Sequence, residues 1–345
     1  MPFNRHVPMG FVRYMAPDLH LEYRRRMKLI FSDRNFLDRA ADLMGQSIQT
    51  HMATSGVNPV PALEDMTFAT LADLFLGLST NDPEFGRLRQ LYREIDYRRS
   101  FLLTWSGTER RLEEIERIFL ATVDTRSSYF REFLRRSKND QQDLVLDRTL
   151  VRNFIYLLQT SCIDVSDLLL WILKYLCEDP RWMKNLQTHL SAAERSGFRH
   201  AQDLAHRVVL ETLRLEQSEY LMRKALHDLH FEGFLIPKGW LVRIGVRESH
   251  RDRAIYEDPH VFNPDRFIAN FQGTGQYSPF GFQQKSCVGK SLTLVMAERF
   301  VLALAREYRC MVVKDGPREL GAFHWRPSAK LRVQFLPYSA SVPKG

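Results

Sequence analysis

The chain has 345 residues, of which 44% are hydrophobic, enough to bury a large core and to exclude extended disorder. Its formal net charge is +8, but the basic clusters are scattered without interleaved aromatic residues, so no nucleic-acid binding is expected. The cysteines form neither a paired framework nor a Cys-x-x-Cys site, which favours a reducing, cytoplasmic setting. Neither an apolar run of membrane-spanning length nor a signal peptide is expected, so we predict a soluble protein.

The first predicted element carries His20 and Arg24, four residues apart on one helical face. Two cations at this spacing could clamp carboxylates, although such a pair often lies on a solvated surface. Apolar residues at three-and-four spacing then predict a series of packing helices. These helices are predicted over Phe36–Met52, Ala62–Leu78, Asp82–Trp105 and Glu109–Arg136.

The next segment, Leu144–Cys177, is apolar nearly all round and ends before Pro180, as expected for a core helix. Within it stands Asp164, followed by Ser166. An unpaired charge in an apolar helix is costly, so Asp164 needs a partner, a water channel or a raised pKa. A structural hydrogen bond to a neighbouring turn is the alternative.

An amphipathic helix over Ala201–Arg214 ends in Glu211 and Arg214, which alone would be an ordinary surface pair. Strand-like stretches follow: Tyr220–Ala225, Phe231–Gly239 and Trp240–Ile244. A helix over Lys290–Tyr308 and a strand over Leu331–Tyr338 close the chain. The pattern predicts one mainly α domain with a small β region, without internal repeats or linkers.

The loop Ser278–Gly289 presents Cys287 just before the last helix. The helix dipole and free backbone N–H groups favour a thiolate there, and a thiolate suits an axial iron ligand. Gly289 leaves room for a flat macrocycle to approach the backbone, and Phe280 is placed to cover the sulfur. A buried structural cysteine is the alternative interpretation.

This loop resembles the haem-binding loop of the cytochrome P450 family, Phe-x-x-Gly-x-x-x-Cys-x-Gly, with Phe280, Cys287 and Gly289 in register. Two positions depart from the pattern. Gln283 replaces the family's glycine, and Lys285 replaces the usual Arg or His that contacts a haem propionate, keeping the charge but losing the fork geometry.

Three further motifs are similar to those of the family. His20 and Arg24 match its His-x-x-x-Arg, whose members contact haem propionates, and Arg223 matches another frequent propionate contact. Glu211 and Arg214 match its Glu-x-x-Arg, which pairs with an arginine placed like Arg266 in a buried network behind the haem.

The resemblance covers residues 11–338 and implies one cytochrome P450-like domain over 1–345. Its parts are a helix-rich 11–214, a β meander with the haem-binding loop over 215–289, and a final helix with strands over 290–338. Only 19 residues precede His20, so an N-terminally shortened member is expected. Whether this short N-terminal segment is native is left open.

In the family, the long core helix carries an acid and a threonine that relay protons to iron-bound dioxygen. Counting back from Pro180, these fall on Ile163 and Asp164, or one residue later on Asp164 and Val165 with Ser166 next. The threonine is missing in either register. Asp164 and Ser166 are therefore the distal catalytic candidates that the resemblance implies.

The resemblance implies a soluble, bacterial-type haem-thiolate monooxygenase with haem b (iron protoporphyrin IX) held by Cys287, where the thiolate favours O–O cleavage. A small, largely apolar organic substrate and a ferredoxin- or flavodoxin-type electron donor are expected. The missing threonine keeps open a peroxide-using or non-oxygenating haem-thiolate enzyme. The short N-terminal segment and Gln283 leave a further alternative, a non-catalytic scaffold or binding protein that retains the fold.

Overall fold

The structure is a computed structural model, which describes residues 12, 15, 17–52, 56–95, 105–126, 129, 131, 148–192, 195–216, 220–268, 276–320 and 324–338. The helix expected over Asp82–Trp105 ends at Glu94, and Trp105 begins a separate helix. The end of the helix expected to reach Arg136 falls partly outside the described residues.

Most of the described chain is helical. The helices are α1 (Pro17–Phe31), α2 (Arg34–Met52), α3 (Pro59–Leu76), α4 (Pro83–Glu94), α5 (Trp105–Thr125), α6 (Arg148–Glu178), α7 (Pro180–Ser191), α8 (Arg195–Glu216), α9 (Val246–Ser249) and α10 (Lys290–Glu307). Proline opens α3, α4 and α7, where its missing N–H leaves no intrahelical bond unmade. Gly77, with φ of 67°, ends α3 in the left-handed conformation that favours glycine.

Helix α6 is the centre of the core, as its all-round apolar sequence predicts. It packs against α3, α5, α8 and α10. By length and composition its segment Thr149–Glu178 could cross a membrane, so the expectation that no apolar run is long enough is wrong. However, 72% of its most apolar window is buried inside the protein, as is typical of a core helix.

The strands form small antiparallel pairs. They are β1 (Tyr220–Lys224) with β4 (Leu241–Gly245), β2 (Leu229–Phe231) with β3 (Phe234–Ile236), β5 (Tyr308–Lys314) with β8 (Arg332–Pro337), and β6 (Glu319–Leu320) with β7 (Trp325–Arg326).

The stretch from Phe231 to Gly239, expected as one strand, is broken by a tight turn. Glu232 and Gly233 both have positive φ, 49° and 80°, and Phe231 pairs with Phe234 across them. This is the two-residue turn whose twist suits a hairpin.

Two contacts position the functional elements around α6. The loop before α10 carries Cys287, and α10 packs on both α6 and α8. On another side of α6, the indole N–H of Trp171 donates to the carbonyl of Trp325 in β7 at 2.8 Å. The fold is mainly α with a small β region, as the sequence predicts.

Candidate functional site

Glu211 and Arg214 lie on α8 and are completely buried. The Arg214 guanidinium donates two hydrogen bonds to the Glu211 carboxylate, from Nε at 2.7 Å and from Nη2 at 2.8 Å. The remaining Nη1 donates to the carbonyls of His250 and Pro259. The i, i+3 pair that would be a surface feature in most proteins is therefore an interior one.

Arg266 completes this group from a short 3-10 turn, Pro264–Phe267. Its Nε donates to Glu211 Oε1 at 2.9 Å, and the backbone N–H of Asn263 donates to the same oxygen at 3.0 Å. One carboxylate thus serves two guanidiniums and a backbone donor. The structure brings together the three residues that the sequence expected to form a network, because each satisfies the others away from water.

His250 connects this network to the cysteine loop, a role that sequence reasoning missed. Its Nε2 accepts a hydrogen bond from the Ser278 N–H at 2.9 Å, and its Nδ1 lies 3.2 Å from the Arg214 carbonyl. An accepting Nε2 requires the proton on Nδ1, which can then donate to that carbonyl. The ring also stacks on Tyr277, whose hydroxyl donates to the Leu210 carbonyl of α8.

Burial holds His250 neutral. The imidazole is fully covered, and burial is the main cause that lowers its pKa from 6.5 to about 4. Neighbouring Arg214 and Arg251 add to the lowering, while the hydrogen bond to the Arg214 carbonyl opposes it. A neutral ring is what the Ser278 bond needs, since a protonated Nε2 could not accept.

The cysteine loop is closed by hydrogen bonds of its own backbone. The Cys287 N–H donates to the Phe280 carbonyl at 2.7 Å, and the Gly281 N–H donates to the Ser278 carbonyl at 3.0 Å. The Cys287 side chain is exposed and is not part of a disulfide. The alternative of a buried structural cysteine is therefore wrong for this residue.

Two loop positions show how the backbone is shaped around the sulfur. A Cβ at Gly289 would have one neighbour within 4 Å, the Cys287 sulfur at 3.8 Å, so any side chain there would grow beside the thiol. Gln283, which stands where the resembling loops have glycine, has φ of 47°. Gln283 therefore adopts the left-handed conformation, and its Cβ makes that conformation sterically strained.

The four predicted carboxylate-binding cations gather next to Cys287. Arg24 Nη2 donates to the Ser286 hydroxyl at 2.9 Å, which ties α1 to the loop. The pKa of Lys285 is lowered by burial and by the charges of Arg223 and Arg24, and that of His20 by burial and by Lys285 and Arg24. Within the described part of the chain, none of the four pairs with a carboxylate. The mutual repulsion of Arg24, Arg223 and Lys285 makes this a site for an anion, and the pKa shift of His20 reflects the same positive field.

The distal candidates are placed differently from what the sequence suggested. Asp164 keeps 59% of its side chain exposed, so it is not a charge buried in an apolar helix. Ser166 is fully buried and donates its hydroxyl to the Ile163 carbonyl at 3.1 Å. The structure therefore does not bring the two together as an acid and an available alcohol.

The buried carboxylate of α6 is Asp167, which sequence reasoning missed. It lies against His324 Nε2 at 3.1 Å and Arg326 Nη2 at 3.0 Å. His324 and Arg326 follow Asp167 by more than 150 positions along the chain, so no local spacing could have indicated this contact.

A comparison with protein-family models matches residues 108–324 to the cytochrome P450 family. This match covers more than half of the chain, and it includes the network on α8 and the cysteine loop. The chain belongs to the cytochrome P450 family.

Relatives and solved structures agree with this assignment. The P450 chain is 30% identical over 219 residues to cytochrome P450 85A2 of Arabidopsis thaliana and 29% identical over 190 residues to abscisic acid 8'-hydroxylase 3 of Oryza sativa subsp. indica. These alignments cover 60% and 50% of this chain. The chain spans less than half the length of these curated relatives, 44% and 37%.

The fold is that of solved P450 structures. The retinoic acid-bound cyanobacterial CYP120A1 superposes with a TM-score of 0.81 over 98% of this chain and 83% of its own, at 22% identity. The cytochrome P450DA heme domain gives 0.81 over 99% and 83%, at 16% identity.

The residues present fit the haem iron that the family implies. An exposed thiol lies on a shaped loop, and Gly289 keeps the space beside its sulfur free of a side chain. Arg24 and Lys285, which pair with no carboxylate among the described residues, lie close to it. A thiolate is an iron ligand, and a haem carries carboxylates that such cations bind.

We predict that Gln283→Gly stabilises the protein by about 0.5–1 kcal/mol, because glycine relieves left-handed strain at an exposed position. Chemical denaturation gives the free energy of unfolding. Gln283→Ala is the matched control and should give no gain, since it keeps the Cβ. An equal effect of both substitutions would contradict the strain argument.

A second prediction concerns acid stability. Because the pKa of His250 is about 4 when folded and 6.5 when unfolded, the unfolded state takes up the proton first as the pH falls. Between about pH 7.5 and about pH 5 this residue should cost the wild type about 2 kcal/mol of unfolding free energy.

His250→Gln cannot titrate, so it should lack this part of the acid sensitivity while being less stable at neutral pH. Denaturation of both proteins at the two pH values measures the difference. Equal acid sensitivity of the two proteins would show that His250 is not held neutral by the fold.

Proposed function

We propose that this P450 chain is a haem-thiolate monooxygenase that oxidises a small, largely apolar organic substrate with dioxygen and electrons from a redox partner. The observation that carries the proposal is the exposed Cys287 thiol beside three cations, Arg24, Arg223 and Lys285, that have no carboxylate partner among the described residues. That arrangement would supply both a thiolate ligand and a counter-charge for a haem.

In this proposal Cys287 holds the iron of haem b, and His20, Arg24, Arg223 and Lys285 bind its propionates. Arg24 also holds the loop through Ser286. The haem supplies the oxygen-activating chemistry, with electron density donated by the thiolate. Burial and the neighbouring charges that lower the pKa of Lys285 act against its charged form, so an anion bound there removes a repulsion.

The relatives support the substrate class. One is named an abscisic acid 8'-hydroxylase, and one solved structure has retinoic acid bound, and both compounds are small organic acids with a large apolar part. A ferredoxin- or flavodoxin-type donor and a soluble, cytoplasmic protein remain predictions that belong to this proposal.

The second candidate is a haem-thiolate enzyme that uses peroxide or does not activate dioxygen. It is favoured by Ser166, whose buried hydroxyl is donated to the Ile163 carbonyl and is not available to relay a proton. This candidate needs the same iron ligand and the same cations, so only the source of oxygen separates the two.

The test uses the haem-loaded chain with abscisic acid and retinoic acid as probe substrates and isotopically labelled dioxygen. With a reduced ferredoxin or flavodoxin, we predict that the label enters the product, as detected by mass spectrometry. Cys287→Ala should form no product above background, because the iron loses its thiolate. Cys310→Ala is the matched control and should keep the activity.

Turnover with hydrogen peroxide alone would favour the second candidate. A purified chain that neither retains nor takes up haem would overturn both and would favour a scaffold or binding protein with this fold.

A further inference from the structure

A histidine from the C-terminal strands reaches the exposed acid of α6. His324 is 5% exposed and lies next to β7. Its Nε2 is 3.1 Å from Asp167 Oδ2, and its Nδ1 is 3.9 Å from Asp164 Oδ1. One imidazole therefore stands between two carboxylates of the same helix face, one buried and one exposed.

The charges around His324 fix how its protons are distributed. Asp167 also forms an ion pair with Arg326 at 3.0 Å, and Arg326 in turn lies 3.5 Å from buried Glu64 of α3. An Asp167 carboxylate held by Arg326 accepts a hydrogen bond, so Nε2 must carry a proton. The proton that His324 can release and take up is therefore the one on Nδ1, which faces Asp164.

This environment favours the imidazolium. Burial by itself lowers the pKa of His324, but the hydrogen bond to Asp167 and the negative charges of Asp164 and Asp167 outweigh it, and the net shift is upward despite Arg326. Below the unfolded pKa the charged pair contributes its full stability, and this contribution is lost as the pH rises through the folded pKa.

We propose that His324 is a positioning residue that holds a proton for Asp164, a role for which the hydroxyl of Ser166 is not available. This inference rests on the proposed monooxygenase function. In the step, the N–H bond at Nδ1 breaks and an O–H bond forms at Asp164 Oδ1, which leaves a neutral imidazole with its proton on Nε2. A proton from water then restores the imidazolium.

The geometry supports a relay as well as a structural contact. The 3.9 Å between Nδ1 and Asp164 can be bridged by one water or by rotation of an exposed carboxylate. A purely structural tie between α6 and β7 needs only Asp167 and Arg326, both of which are already engaged with one another. The side of the ring that faces exposed Asp164 adds nothing to such a tie.

The first test measures the His324 proton directly, without turnover. Nitrogen NMR of histidine-labelled, haem-loaded protein in its ferrous, CO-bound form should show titration at Nδ1 with Nε2 always protonated. Asp164→Asn should lower the pKa of His324 by about half a unit or more, since a facing negative charge is lost. An unchanged pKa in Asp164→Asn would overturn the relay.

The second test separates a relay from a structural contact. His324→Gln can still donate a hydrogen bond to Asp167 but cannot carry a proton. We expect it to fold with a thermal midpoint that falls mainly at acidic pH, where the charged pair contributes its stability, while releasing at least about tenfold more hydrogen peroxide per product formed. Its product yield should also lose the wild type's decline at alkaline pH.

Wild-type coupling and an unchanged pH profile in His324→Gln would overturn the proposal. If that variant fails to fold, the Asp164→Asn titration decides. A wild type that binds haem but forms no product would refute the proposed function alone, because the titration can still be read in that protein.

Discussion

The structure depends on one buried carboxylate that two guanidiniums share. Glu211 has no exposed surface and accepts hydrogen bonds from Arg214, Arg266 and the backbone of Asn263. Removing one member would leave an uncompensated charge in the interior, which costs roughly 3–5 kcal/mol. The network therefore fixes α8 against the segments on either side of Arg266. Through neutral His250 it also fixes Ser278, where the cysteine loop begins.

This support explains why the loop can keep costly features. Gln283 stays left-handed, Cys287 stays exposed, and Arg24 and Lys285 stay close despite like charge. None of these features stabilises the chain by itself. Each is what a bound haem would use, because its iron takes the thiolate and its carboxylates neutralise the cations. Strain and repulsion at a site that a rigid scaffold holds in place are typical of function.

Sequence reasoning succeeded where motifs carry their own geometry. The pair on α8 and the loop around Cys287 depend on residues a few positions apart, so their resemblance to motifs of the family could be recognised in the sequence. It failed at Asp164, because an α6 that is apolar nearly all round gives no sign of which face is covered. Asp167 and His324 lie 157 positions apart, and only packing of α6 against β7 brings them together. The turn at Glu232 was missed because the two strands that it joins are only three residues long each, too short to show a pattern.

The central claim is that the Cys287 sulfur binds the haem iron on a loop anchored by the Glu211 network. It is tested most directly by the reduced-plus-CO difference spectrum of the haem-loaded wild type and of Cys287→Ala. The account predicts a thiolate-type Soret band in the wild type that is absent from the variant. The same band in both proteins, or no thiolate-type band in the wild type, would contradict it.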